Sequence, residues 1–248
     1  MSTLSKILVT GDRGFIGSHI KFEHDGFDIL DGFDVTDIFQ VKKLIPKYDC
    51  VVNLAAISDV DSCAKYTKKA YTTNVIGAIN VLQHAKKVVF ISSASIYEDS
   101  NHSVSEESPI FPKSYYGITK AMMESVISGY LLANPKPCVI LRPFNITGNG
   151  SKGVTEIFKR DKELKIYGNP YRDFISVEDV CVTIQMAIDN IKNYVGEIFN
   201  VGTGKATSIR DLAVKSEKLY TLLPPKKNDI QFSCADISKI QKEWGSKI

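Results

Sequence analysis

Five short apolar runs, "KILVT", "FDIL", "CVVNLA", "VVFISS" and "CVILRP", punctuate the chain up to Pro143, and between them lie stretches with helical apolar spacing, notably 64–86 and 114–132. Each run is rich in β-branched side chains and apolar on both faces, as a parallel strand covered on both sides is. Parallel strands require crossovers, and crossovers are right-handed. The alternation therefore predicts an α/β fold, a doubly wound parallel sheet of the Rossmann type, over residues 1–143, with "EIFNVG" (197–202) joining that sheet late. After Pro143 the texture turns to Gly, Asn and Lys with less regular periodicity, and residues 144–248 read as a small C-terminal substrate-binding lobe built on the strand ends.

The first run leads into "TGDRGFIGSHI", where Gly11, Gly14 and Gly17 are spaced G-x-x-G-x-x-G. Glycines in such a turn allow a tight bend, close backbone approach and a helix N-terminus facing a pyrophosphate, although a generic strand-to-helix turn can also carry them. An acidic residue about 20 positions on should end a second strand and bond the adenosine ribose. "FDILD" supplies Asp31, 20 residues after Gly11, whose alternative is an exposed loop aspartate. A carboxylate there disfavours a 2′-phosphate, so the expected cofactor is NAD, with NADP not excluded.

"SYYGITK" (114–120) places Tyr116, but not Tyr115, four residues before Lys120, which stacks the two side chains on one helix face. In a chain with 11 tyrosines, about one such pair is expected by chance, and a surface helix would look the same. Other chemistries lack their patterns. The net charge of +3 gives no basic stripe for nucleic acid and no polybasic membrane patch. No apolar run reaches the length of a membrane span, and the opening "MSTLSKILVTG" passes into a strand-like run without a cleavage region, so the expected location is the cytoplasm. The five cysteines show no C-x-x-C spacing and read as core thiols; the four histidines show no metal spacing, so no metal is expected. His19 reads as a packing residue at the start of the first helix, and "GTGKAT" lacks the frame of a phosphate loop.

Taken in order, the motifs resemble those of the extended short-chain dehydrogenase/reductases, specifically the NAD-dependent nucleotide-sugar epimerases and dehydratases related to UDP-glucose 4-epimerase. "TGDRGFIGSH" resembles the cofactor turn, with Gly11, Gly14, Phe15, Ile16 and Gly17; "DVTD", with Asp34 and Val35, the adenine-side segment; "NLAAIS", with Leu54, Ala55 and Ala56, the motif after a central strand. "TNVIGAINVL" carries Asn74, "FISSASIY" Ser93, and "LRPFNITG" Pro143 and Asn145, followed by "YRDFISVEDV" with Arg172 and "FNVGTG". The resemblance implies Ser93, Tyr116 and Lys120 as catalytic, Tyr116 and Lys120 also touching the cofactor, and Pro143 beside it. It implies Ser93, Asn145 and Arg172 as substrate contacts, the arginine forking onto a diphosphate. Without it, Ser93 reads as a strand-end serine and Arg172 as an ion pair with Asp173 or Glu178. Lys120 is expected to lower the Tyr116 pKa.

Within the family, dehydratases carry an Asp-Glu pair directly after the catalytic Ser/Thr, where this chain has Ala94 and Ser95, and decarboxylating relatives a glutamate at the position of Ile96. A 4-epimerase acting on a UDP-hexose needs no further titrating group and is the expected activity. The alternatives are a nucleotide-keto-sugar reductase or dehydratase of the same family and, in another class, a non-catalytic dinucleotide-binding scaffold or sensor. A homodimer through the helices at 64–86 and 114–132 is also implied. The chain departs from the family between Gly17 and Asp31, where "EHDG" ends the first helix early, and after Asp31, where "DVTD" leaves no room for the usual helix and third strand, so the sheet edge beside adenine should be curtailed.

Overall fold

The computed structural model describes residues 6–151, 153–161, 163–225 and 229–245. The opening residues 1–5, read above as leading into a strand, lie outside the described residues. The first half contains β1 (Ile7–Thr10), β2 (Asp25–Phe27), α1 (Ile38–Leu44), β3 (Cys50–Asn53), α2 (Val60–Lys65), α3 (Thr67–Tyr71), α4 (Ala78–His84), β4 (Val88–Ile91), α5 (Tyr115–Ala133) and β5 (Cys138–Pro143). Then follow β6 (Asn145–Thr147), α6 (Val154–Arg160), β7 (Glu163–Tyr167), β8 (Tyr171–Ser176), α7 (Val177–Asn190), β9 (Val195–Val201), β10 (Ala206–Ser208), α8 (Ile209–Lys215), β11 (Leu219–Leu223), β12 (Phe232–Ser233) and α9 (Ser238–Trp244).

Six parallel strands form the main sheet in the order β2-β1-β3-β4-β5-β9. Every residue of β3, β4 and β5 is buried, because helices cover both faces. One face carries Leu8, Val41, Val81, Phe90, Met123 and Ile127 under α1, α4 and α5; the other carries Val9, Val89, Leu141, Ile184, Phe199 and Trp244 under α7 and α9. The strand order reverses between β1 and β3, and a crevice opens there beyond the carboxyl ends of the strands. The late strand expected at 197–202 is β9, paired in parallel with β5.

Three expectations change. The helix expected after the glycine turn is a single 3-10 turn, Gly17–His19, after which Ile20 and Phe22 pack against the core under α7. The strand read from "FDIL" lies earlier, at Asp25–Phe27, because so short a crossover reaches the edge of β1 sooner; Ile29–Asp31 then curl into another 3-10 turn. With β2 at the edge, the curtailed sheet margin is present as expected. Finally, the helix expected at 64–86 is broken at Tyr66 and widens into a π-helical stretch, Thr72–Gly77, before α4.

Beyond β5 the chain builds β6, β8, β10 and β12 into a small sheet and pairs β7 with β11. Asp173 ties this region together, accepting hydrogen bonds from the backbone amides of Thr203, Gly204 and Ala235. Among the described residues, no helix is long and apolar enough to cross a membrane, and no three His, Cys, Asp or Glu side chains gather as a metal site.

Candidate active site

The crevice at the strand-order reversal is a cleft of about 290 Å³ lined by Gly11, Gly14, Phe27, Asp28, Asp34, Val35, Leu54, Ala55, Ala56, Lys69 and Thr73, among others. Gly11 has φ of 72°, and a Cβ there would come within 2.9 Å of the Ala55 amide nitrogen, so the turn closes onto the exit of β3 only as glycine. Seven of the residues expected at the cofactor therefore line one cleft. The others lie elsewhere. Ile16 packs against the core under α7, Gly17 begins the 3-10 turn, and Phe15 and Pro143 line the two adjoining pockets. Asn74 is buried, and its amide bonds both the backbone of Ile57 and the Thr119 hydroxyl, so it holds the β3 exit loop to α5 without lining the cleft.

The acidic residue needs a correction. Asp31 turns away from the cleft to pair with Arg13, while Asp28, at the tip of β2, lines it. Asp28 is almost wholly buried, and its Oδ1 accepts the Leu30 amide as the cap of the 3-10 turn. The shift of β2 toward the N-terminus is the cause: the strand ends at Phe27, and the residue that follows it is Asp28.

Ser93 follows β4 and caps a 3-10 turn, its Oγ accepting the Ser95 amide at 3.1 Å. Tyr116 stands in the first turn of α5, which begins at the Ser114 cap. At the next residue, Gly117, a Cβ would lie 2.4 Å from the Ser95 carbonyl oxygen, so the absence of a side chain lets α5 press against the serine turn. Ser93 therefore stands beside Tyr116, where its side chain pulls the phenol pKa down. Lys120 lies one helical turn on, its Nζ donating to the Ile91 carbonyl at 2.7 Å and standing 5.9 Å from the Tyr116 ring centre.

Electrostatically this arrangement differs from expectation. Burial pushes the Tyr116 phenol up to about 12, with the Ser93 side chain opposing, and pushes Lys120 down to about 8, with Glu124 opposing. The ammonium spends its hydrogen bond on a strand carbonyl, and desolvation dominates the phenol. In the protein alone Tyr116 is therefore a neutral acid at neutral pH.

Asn145 and Arg172 line both a pocket of about 300 Å³ beside Ser93 and a larger one of about 790 Å³. The Asn145 amide donates to the Asp173 carbonyl, which fixes its orientation. Arg172 pairs with Asp229 at 3.1 Å and not with Asp173 or Glu178; Asp173 is already taken by backbone amides. Lys113, ion-paired with Asp99, and Ser114 complete the serine side of the smaller pocket, and Thr155 and Phe158 line the larger one. The sequence offered no spacing rule for Asp229, which reaches the site from the far end of the chain.

Residues 7–202 match the sequence profile of the NAD dependent epimerase/dehydratase family. The chain belongs to this family. The UDP-glucose 4-epimerase of Lactobacillus helveticus is 29% identical over 98% of this chain and 92% of its own length. A GDP-6-deoxy-D-talose 4-dehydrogenase of Aggregatibacter actinomycetemcomitans is 32% identical over 97% of this chain and 92% of its own. The crystal structure of Thermus thermophilus UDP-glucose 4-epimerase in complex with NAD superimposes with a TM-score of 0.81 at 25% identity, covering 96% of this chain and 92% of that one. The first alignment spans 302 positions against a chain of 248 residues, so that relative carries stretches this epimerase/dehydratase lacks.

NAD is the cofactor of this family member. The residues present fit it: a side-chain-free turn at Gly11, a cleft at the strand reversal, and a carboxylate at the tip of β2.

Proposed function

We propose that this protein is a nucleotide-sugar 4-epimerase acting on a UDP-hexose. One observation carries the reading: Ser93 stands beside Tyr116 where the serine turn lines a pocket shared with Asn145 and Arg172, and Ala94 and Ser95 follow Ser93 where elimination would need its own acid and base.

Bound NAD supplies a transient oxidation at C4. Gly11, Gly14, Leu54, Ala55 and Ala56 hold it in the cleft, and Asp28 replaces Asp31 as the partner of the adenosine ribose, which favours NAD over NADP. Arg172 and Asn145 hold the diphosphate, with Arg172 leaving Asp229 to fork onto phosphate oxygens. Ser93 bonds the sugar O4. With NAD bound, its positive charge and the Lys120 ammonium would favour the Tyr116 phenolate, the phenol proton passing to water, and the phenolate would take the O4 proton. The sugar, anchored only through its nucleotide, turns its other face, and Tyr116 returns the proton to O4.

Ile118, Met122 and Val126 form a stripe on α5 at four-residue spacing, each about two-fifths exposed. This supports the homodimer expected through α5 and the 64–86 segment, and light scattering of the eluting protein should give twice the chain mass; a monomer at micromolar concentration would contradict it.

The test is incubation of the purified protein, without added cofactor, with UDP-, dTDP- and GDP-hexoses, followed by NMR. Interconversion of C4 epimers is expected with a UDP-hexose. The relation to a 4-dehydrogenase favours one second reading, a keto-sugar reductase on the same dyad. Turnover of a 4-keto sugar only with added reduced cofactor would establish it instead.

A further inference from the structure

Behind the proposed catalytic helix lies a buried polar network that lines none of the three pockets described above. Arg142, at the end of β5, is 1% exposed and forks onto Glu124 of α5, with Nε to Oε1 at 3.0 Å and Nη2 to Oε2 at 2.6 Å. Its Nη1 donates to the Tyr97 hydroxyl at 2.7 Å and to the Glu106 carbonyl at 2.9 Å. Tyr97 in turn donates to Asn200 Oδ1, and the Asn200 backbone amide donates to the Glu106 carboxylate. Burying such a pair contributes little over an apolar pair of equal volume, because desolvation offsets the attraction. Packing alone therefore gives no reason for it.

The position of Glu124 does. It lies four residues after Lys120, on the same face of α5, and both side chains are 4% exposed. The other groups facing Lys120 are the Ile91 carbonyl from β4, the Tyr116 phenol from its own helix and the Cys63 thiol from α2, which burial keeps protonated. Glu124 is the carboxylate among these groups, and Arg142 forks onto both of its oxygens.

We propose that Glu124 and Arg142 are a positioning pair, in which Arg142 holds the Glu124 carboxylate behind Lys120 and so keeps Lys120 charged beside Tyr116. Without that anion, burial would discharge the lysine, and Tyr116 would lose the cation that favours its phenolate. The proposal rests on the assignment of Lys120 to the catalytic site.

The test uses the full-length protein labelled with ¹⁵N-lysine, with the Lys120 Nζ signal identified by its loss in Lys120→Met. The titration midpoint of that signal is expected to fall by about one pH unit or more in Glu124→Gln, which leaves Arg142 as an uncompensated cation. In the double variant Glu124→Gln/Arg142→Met, with both charges gone, the midpoint should fall between wild type and the single variant. Should Glu124→Gln not fold, the double variant carries the test, because its pair buries no charge. Wild-type midpoints in every folded variant would overturn the proposal. Retained turnover in Lys120→Met would instead overturn the assignment of Lys120, whatever the midpoints show.

Discussion

Around Tyr116 and Lys120 the protein sets a 19-residue helix against strands buried along their whole length, backed by a polar network in which the Arg142 fork and the Asn200 amide are paired. Beside the cleft lined by Gly11 and Asp28 it offers a three-residue edge strand and two 3-10 turns, with Ile29, Leu30 and Phe39 largely exposed. In the proposed function the two regions serve one cofactor but answer different demands. Proton transfer fails if a hydroxyl moves by an ångström, whereas an adenosine needs a slot and one carboxylate. The trimmed helix and strand fall where positional accuracy matters least.

If that contrast is right, equal insults should have unequal results. Arg142→Ala leaves Glu124 buried and unpaired and should cost about 3–5 kcal/mol of unfolding free energy, whereas Leu30→Ser at the adenine edge should stay within about 0.5 kcal/mol. Urea denaturation of both variants checks this, and similar losses would break the comparison. The next largest effect concerns the cofactor. Asp28→Ala should weaken NAD binding about 10- to 100-fold by calorimetry, through loss of a charge-assisted hydrogen bond, while Asp31→Ala should change it by less than about threefold. The reverse order would restore Asp31 to the ribose. Smallest is the Arg13–Asp31 pair itself, an exposed contact whose removal should cost less than about 1 kcal/mol of stability.

The pH behaviour sharpens the same contrast. With its phenol pushed above the ordinary value of 10.0 to about 12, Tyr116 stays protonated through pH 10 in the cofactor-free protein, and the stability linked to that shift is complete below pH 10 and lost as pH rises towards 12. An absorbance titration of wild type minus Tyr116→Phe should show phenolate only near that upper limit without NAD and at clearly lower pH with it. An unmoved midpoint would mean that the cofactor's charge does not reach the phenol.

The sheet was legible because strands buried on both faces are continuous apolar runs; the late strand, expected at 197–202 and found at Val195–Val201, is buried only over its last three residues. The Tyr116–Lys120 pair was legible in spacing and meaningful only beside the other motifs. The second strand misled because Ile29 and Leu30 are apolar yet exposed: the short crossover decides where the chain meets β1, and it selects Asp25–Phe27, taking Asp28 to the cleft. Nothing periodic marks the π-helical stretch, where Asn74 turns inward to bond Ile57. Arg142 reads as a charged strand end, and only three-dimensional packing brings it to Glu124 and the Lys120 that Glu124 backs.

Substituting Tyr116 by phenylalanine keeps the ring and removes only the hydroxyl. If wild type converts a UDP-hexose as proposed, the variant should bind NAD within a few-fold of wild type and interconvert C4 epimers at least about 100-fold more slowly. Turnover within about threefold of wild type would show that another group moves the O4 proton, and the account of this site would be wrong.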